Sequence, residues 1–282
     1  MSAGDDALAR VAELVRRESG IELPAARRTA LRAAIRRAGA AGPDELLHEA
    51  ARPGEAGRAA VQRLLDEVTV QETSFHRDPE QLEAIDWRAL HRGAVAAGAS
   101  AVSVWSAGCA TGEEAWTLAM LACDAFASST PPVEILGTDV SAAALARAAE
   151  GHYRGRRARG VPAAQRAAHL VPDGDGLAVR AGLRRVVRFA RHNLVHDPAP
   201  PPGEAPFDLV VCRNVLIYFD PATAAAVTAR LRTALRGPHG VLLLGAADQL
   251  VRGERERPAA APAVPRPAAP ARPAAPRCSA CW

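Results

Sequence analysis

Apolar positions change period near residue 100, from helical spacing to short continuous runs. In the first part Leu8, Val11, Leu14 and Val15 recur at the helical period, and Gly20 closes that segment. Pro24 begins a second predicted helix, with Leu31 and Ile35 on one side and Arg27, Arg28, Arg32, Arg36 and Arg37 elsewhere. Pro43-Asp44 starts a third, and Val61, Leu64, Leu65 and Val68 mark a fourth. Pro79 opens a further helix carrying Leu82, Ile85 and Leu90.

Beyond residue 100, apolar runs of strand length fall at 101–105, 133–140, 186–190, 207–212 and 241–244. Helical stretches at 113–126, 142–150 and 221–235 separate several of them. That alternation predicts an α/β domain, a mostly parallel sheet with helices on both faces. Residues 154–185 fit it poorly: they are rich in arginine and carry Gly174 and Gly176 as turn signals. An insertion of a helix and a small hairpin is expected there. Past Arg252 the text is dominated by Ala, Pro and Arg, with seven prolines in the final 31 residues. Such a segment has little to bury and is expected to stay extended or disordered, either as a tether or as an extension without a role. The expected organisation is an all-α N-terminal domain (1–78), a linker helix (79–100), an α/β domain (101–251) and a tail (252–282).

Composition narrows the function classes. Charged residues at 23% and apolar ones at 49% are ordinary for a soluble globular chain of 282 residues, enough for one or two domains. Lysine is absent and alanine abundant. This points to a coding bias, so arginine richness alone does not signal nucleic acid. The net charge of +4 sits in residues 252–282, where six arginines face Glu254 and Glu256. The rest is near neutral, which argues against a phosphate-tracking groove and against a nucleic-acid partner. No apolar run approaches the ~18–20 residues of a membrane span, and the acidic start Met-Ser-Ala-Gly-Asp-Asp is unlike a signal peptide. Cysteines 109, 123, 212, 278 and 281 are scattered and odd in number, as in a reducing cytoplasm. Cys278-Ser-Ala-Cys281 has metal-clip spacing but no second pair, so no metal site is expected.

The segment Val102–Trp116 carries the strongest chemical signal. A short apolar strand runs into a turn with Gly108 and Gly112, then into a helix opening with Glu113-Glu114. In open α/β sheets this is where a nucleotide-like ligand sits. Two carboxylates at the helix start disfavour a pyrophosphate; a cationic, hydroxyl-rich ligand such as S-adenosylmethionine suits it better. Asp139 ends the next strand, where an acidic residue can hold ribose hydroxyls; with Ser141 it could equally cap the following helix. Asn193-Leu194 and Arg213-Asn214 also fall at carboxyl ends of strands, reading a base edge or merely closing turns. Thr73 and Arg77 lie in a loop between the helical and sheet parts, where Arg77 could simply pair with Asp78 or Glu80.

Four blocks complete the picture: Glu72-Thr-Ser-Phe-His-Arg-Asp-Pro79, Trp105-Ser-Ala-Gly-Cys-Ala-Thr-Gly-Glu-Glu114, Gly137-Thr-Asp139 and Phe207-Asp-Leu-Val-Val-Cys-Arg-Asn-Val-Leu-Ile-Tyr-Phe-Asp220. In order and spacing, from about residue 5 to residue 250, the chain resembles the CheR-type chemotaxis receptor methyltransferases, S-adenosylmethionine-dependent protein-glutamate O-methyltransferases. The resemblance implies a Rossmann-like methyltransferase domain with an inserted antiparallel subdomain, preceded by an all-α N-terminal domain.

It also implies roles. Thr73 and Arg77 would reach the methionyl end of the cofactor, and Ala107 and Glu113 would line its pocket. Asp139 would hold the ribose, Asn193 and Leu194 would flank the adenine, and Arg213, Asn214 and Tyr218 would complete the wall. Arg77 and Tyr218 would be the catalytic pair, and Arg27, Arg28, Arg32 and Arg36 would meet the substrate. That substrate would be the acidic cytoplasmic helical domain of a membrane chemoreceptor, met by a cytoplasmic monomer. Gln71 stands where the family has a cofactor-binding asparagine. His76, Trp116 and Ala246-Ala-Asp-Gln249 also depart from the family pattern, the last replacing a His-Ser-Glu. Two other functions share the motifs: a methyltransferase of this fold with another protein acceptor, and a catalytically silent module that only binds the cofactor or its product.

Overall fold

The amphipathic helices of the first part close on one another through the residues their periodicity singled out. In the computed structural model, which describes residues 3–251, these are α1 (Ala3–Ser19), α2 (Arg28–Arg37), α3 (Pro43–Ala50) and α4 (Glu55–Val68). Leu8, Val11 and Val15 of α1 pack with Leu31, Ile35, Leu46, Leu64 and Leu65 in one cluster. At about 1.5–3 kcal/mol for each large apolar side chain fully buried, this cluster holds the helices together. The second helix starts at Arg28, later than expected, because residues 25–27 form a 3-10 turn behind an extended Pro24.

The linker is two helices instead of one, α5 (Pro79–Glu83) and α6 (Trp87–Ala96). The break is set by Asp86, whose carboxylate accepts the Ala89 N–H at 2.8 Å and caps α6.

Eight strands follow among the described residues: β1 (Val102–Ala107), β2 (Val133–Asp139), β3 (His152–Arg154), β4 (Leu170–Asp173), β5 (Gly176–Val179), β6 (Val187–Arg191), β7 (Leu209–Cys212) and β8 (Val241–Leu244). Between and after them run α7 (Glu113–Phe126), α8 (Ala142–Glu150), α9 (Ala163–His169), α10 (Ala181–Arg184), α11 (Pro221–Thr233) and α12 (Ala246–Val251). The main sheet has the order β6-β2-β1-β7-β8 and is parallel throughout. Its central strands are buried on both faces. Trp105, Leu136, Phe207, Val227 and Leu231 fill one side; Val104, Leu118, Met120, Ile135 and Val211 fill the other. The insertion is an antiparallel sheet of order β3-β5-β4, one strand more than the expected hairpin, and it begins at His152.

Successive strands β1, β2 and β6 advance in one direction, then β7 returns to the other side of β1. This reversal leaves a crevice at the carboxyl ends of β1 and β7. Helical and sheet parts belong to one compact unit. The tail and its Cys278 and Cys281 lie outside the described residues.

Candidate active site

At the strand reversal lies a cavity lined by residues from the turn after β1, the ends of β2 and β7 and the loop before α5. Its floor is the turn after β1. Gly108 and Gly112 sit at φ +82° and +90°; a Cβ on Gly108 would stand 2.5 Å from Val215 Cγ2, and one on Gly112 2.7 Å from Ala148 Cβ. Only glycine meets both demands at once, a left-handed backbone and no side chain. The Gly108 and Cys109 N–H groups both donate to the Thr138 carbonyl at 2.8 Å, lashing the turn to the end of β2.

Asp139 completes that lashing. Its two carboxylate oxygens accept the Ala110 and Ser141 N–H groups, each at 2.9 Å. The N-cap of α8 is Ser141, whose hydroxyl accepts the Ala144 N–H at 3.1 Å. Asp139 is therefore not the helix cap. It lines the cavity, with acceptor capacity left on both oxygens. Burial pushes its carboxyl above the usual range, while the N–H bonds pull back.

The two glutamates at the head of α7 part company. Glu113 is fully buried away from the cavity, accepting from Thr111 Oγ1 at 2.7 Å and from Arg157 Nη1 at 3.3 Å. Glu114 lies on the cavity wall, accepting from Ser106 Oγ at 2.8 Å and from Arg213 Nη1 at 3.4 Å. Burial raises the pKa of both. Glu114 and Asp139 thus place two carboxyl groups on the cavity wall, the first of them paired with Arg213.

The opposite wall comes from the loop before α5. Thr73 and Arg77 line the cavity, and Tyr218, from the turn after β7, lines it too. Arg77 Nη1 donates to the Glu72 carbonyl at 3.0 Å. Among the described residues no carboxylate lies within ion-pair distance of Arg77, though its charge lowers the pKa of Glu114 against the effect of burial. Asp78, its expected surface partner, binds Arg213 at 3.0 Å instead. His76 and Asp78, on either side of Arg77, both have positive φ, 52° and 50°.

Arg213, Asn214, Asn193 and Leu194 also line the cavity, though the polar side chains among them are partly engaged. The Asn193 amide donates to the Glu18 carbonyl at 2.6 Å and its Oδ1 accepts the Val195 N–H at 2.9 Å, so its side chain closes a turn. Three expected cofactor residues, Gln71, Ala107 and Glu113, do not line this cavity. Gln71 donates to Ser141 Oγ at 3.0 Å and to the Asp66 carbonyl at 3.3 Å. Ala107 is buried in the sheet core. Glu113 is turned toward Arg157, as described.

Two contributors escaped the sequence. Asp248, from α12, accepts N–H bonds from Asn214, Val215 and Ile217, the latter two at 3.1 and 3.3 Å. It fixes the loop that carries Tyr218 and sits inside the departing Ala246–Gln249 stretch. The joint between α1 and α2 also reaches the cavity through Ser19 and Ile21. There Ile21 bridges Phe219, and the Glu22 N–H donates to the Tyr218 carbonyl at 2.9 Å. A serine and an isoleucine in a helical region carry no chemical signal that could have revealed this.

The four expected substrate arginines stand apart from this cavity. Arg27, Arg28 and Arg36 are exposed. Arg27 and Arg28 border a second hollow lined by α1 and α2. Arg32 is half-buried and paired with Asp5 at 3.1 Å, so it is less available than its neighbours. Among the described residues no helix is long and apolar enough to cross a membrane.

Comparison with known proteins agrees with this geometry. Residues 71–263 match the family model for the CheR methyltransferase, SAM binding domain. The chain is 34% identical over 192 residues to a chemotaxis protein methyltransferase of Listeria monocytogenes, covering 67% of this chain and 70% of that one. It is 38% identical over 196 residues to the probable biofilm formation methyltransferase WspC of Pseudomonas aeruginosa, covering 70% of this chain and 44% of that one. It is also 38% identical over 201 residues to an uncharacterized 104.1 kDa protein of Rhodobacter capsulatus, covering 69% of this chain and only 20% of that one. The chain thus spans less than half of two of these relatives. Among solved structures it is similar to the CcbJ methyltransferase of Streptomyces caelestis, with 23% identity, a TM-score of 0.35 and coverage of 60% of this chain and 52% of that one. A likeness that loose carries no argument. The sequence match together with the glycine turn, Asp139 and the strand reversal places this chain in the CheR methyltransferase family, with S-adenosylmethionine as its cofactor.

Proposed function

We propose that this protein transfers the methyl group of S-adenosylmethionine to glutamate side chains of chemotaxis-type receptors, forming glutamyl methyl esters. The observation that carries the proposal is Arg77, a guanidinium on the cofactor cavity that makes no ion pair among the described residues, with Tyr218 lining the same cavity. Bound in the cavity, the cofactor supplies an activated methyl and a sulfur that leaves with the bonding electrons.

The chain's residues do the rest. Asp139 accepts hydrogen bonds from the ribose hydroxyls, and the backbone at Asn193–Leu194 borders the base. A substrate glutamate, with a reference pKa near 4.3, arrives already ionised. No general base is needed. Arg77 pairs with that carboxylate and aims one oxygen at the methyl, while Tyr218 offers its ring to the positive sulfur, a contact worth about 0.5–2 kcal/mol. Alignment of this kind supplies as much as roughly 7–11 kcal/mol. Ser19 and Ile21 close the cavity from the helical side and limit water.

Arg27, Arg28 and Arg36 form the exposed cationic face that a receptor's acidic cytoplasmic helices would meet, the protein acting as a cytoplasmic monomer. The similarity to the probable biofilm formation methyltransferase WspC supports a second acceptor, a protein of a biofilm-forming system. Incubation with tritiated cofactor and membranes from the protein's own cells tests the reading. Base-labile label on a receptor-sized band is expected, and the identity of that band separates the two acceptors. Cofactor binding without label on any acidic protein would leave a silent binding module in its place.

A further inference from the structure

We infer that Arg213 is a positioning residue that presents Arg77 to the substrate, and not a cofactor ligand; this rests on the methyl-transfer reading above. The Arg213 side chain is only 1% exposed. Its guanidinium spends four hydrogen bonds on the protein. Nε donates to Gln81 Oε1 at 3.2 Å and Nη1 to Glu114 Oε2 at 3.4 Å. Nη2 donates to the Arg77 carbonyl at 2.5 Å and to Asp78 Oδ2 at 3.0 Å. With five N–H donors in a fixed fork, little is left for a ligand.

The targets of that fork matter more than their number. Arg77 lies between two non-glycine residues of positive φ, His76 and Asp78. Such a backbone persists only where its surroundings over-determine it. Arg213 grips it at two points, the Arg77 carbonyl and the Asp78 carboxylate. Glu114 supplies the buried counter-charge that lets a guanidinium sit there at all. Arg213 thus joins the sheet, α7 and the linker at the base of the guanidinium expected to pair with the substrate carboxylate.

Arg213→Lys tests this, because it keeps the charge beside Glu114 and loses the fork. Hydrogen–deuterium exchange on the free protein reads the loop without any methyl acceptor. Residues 72–79 are expected to exchange at least ~10-fold faster in the variant, with β7 and β1 unchanged. Titration with S-adenosylhomocysteine should give a Kd within about threefold of the wild type, while kcat on the receptor falls ~10–100-fold at similar KM. Asp78→Ala, which removes a half-exposed anchor and leaves the buried pair alone, should show the same pattern more weakly. Unchanged exchange at 72–79, or a Kd that rises in step with the loss of kcat/KM, overturns the inference. If the wild type methylates no acceptor, the proposed function fails, and exchange still decides whether Arg213 holds the loop.

Discussion

The two walls of the cavity are built on different principles. On the sheet side, the glycine turn and Asp139 are held by main-chain hydrogen bonds and by close packing against Val215 and Ala148. On the linker side, the loop from Glu72 to Pro79 takes two positive-φ residues and is held by side chains reaching from elsewhere, Arg213 above all. The first construction is rigid and fits a cofactor of fixed shape. The second places one long cationic side chain at an opening, where a partner's carboxylate must be met. On the proposed function, binding belongs to the sheet side and reaction to the linker side.

The sharpest way to break that division is Arg77→Ala. Turnover should fall at least ~100-fold, the scale of losing one aimed donor in an active site, with cofactor affinity kept within a few-fold. Isothermal titration beside a methyl-transfer assay reads both numbers, and full activity would remove Arg77 from the reaction. Asp139→Ala should do the reverse. Losing hydrogen bonds to a charged group costs about 1.5–3 kcal/mol, so affinity for S-adenosylhomocysteine should drop roughly 10–150-fold. At saturating cofactor, kcat should recover most of its value.

The smallest effect is one of pH on the sheet side. His192 is buried, donates from Nε2 to the Pro198 carbonyl at 3.0 Å, and stacks edge-on against Trp105. A carbonyl can only accept, so Nε2 carries the proton, while the buried Nδ1 has no partner that would take a second one. Burial lowers its pKa below the ordinary value. The native state thus resists a proton that the unfolded chain takes up near pH 6.5. Stability from this residue is full above that pH and is lost as pH falls toward the lowered folded value. Melting temperature measured from pH 7.5 down to 5.5 should fall less steeply in His192→Gln than in the wild type. Equal slopes would show that His192 is not held neutral.

The strand runs, the parallel sheet and the helices at 113–126 and 142–150 were legible because buried central strands and alternating elements write themselves as uninterrupted apolar runs. The glycine turn was legible for a different reason: only glycine fits it. Glu113 was not, because neighbouring residues on a helix point about 100° apart. α7 is buried on every side, from Ala115 and Trp116 to Met120 and Cys123, so no polar stripe says which glutamate faces the cavity. Asp248 was read as a departure from the family pattern. Its use appears only when a residue 34 positions away, Asn214, is brought to it. The break at Asp86 was missed because Leu82, Ile85 and Leu90 keep an apolar rhythm across it. Arg213 lines the cavity, but its four protein partners depend on tertiary placement that no local pattern encodes.

A crystal structure of the protein with S-adenosylhomocysteine tests the division between the two walls most directly. The ribose hydroxyls should lie within about 2.6–3.2 Å of the Asp139 carboxylate, and the sulfur should face the Arg77 and Tyr218 side with the Arg213 fork still on the Arg77 carbonyl. A cofactor lying the other way round, or one held directly by the Arg213 guanidinium with the 72–79 loop released, would contradict the account.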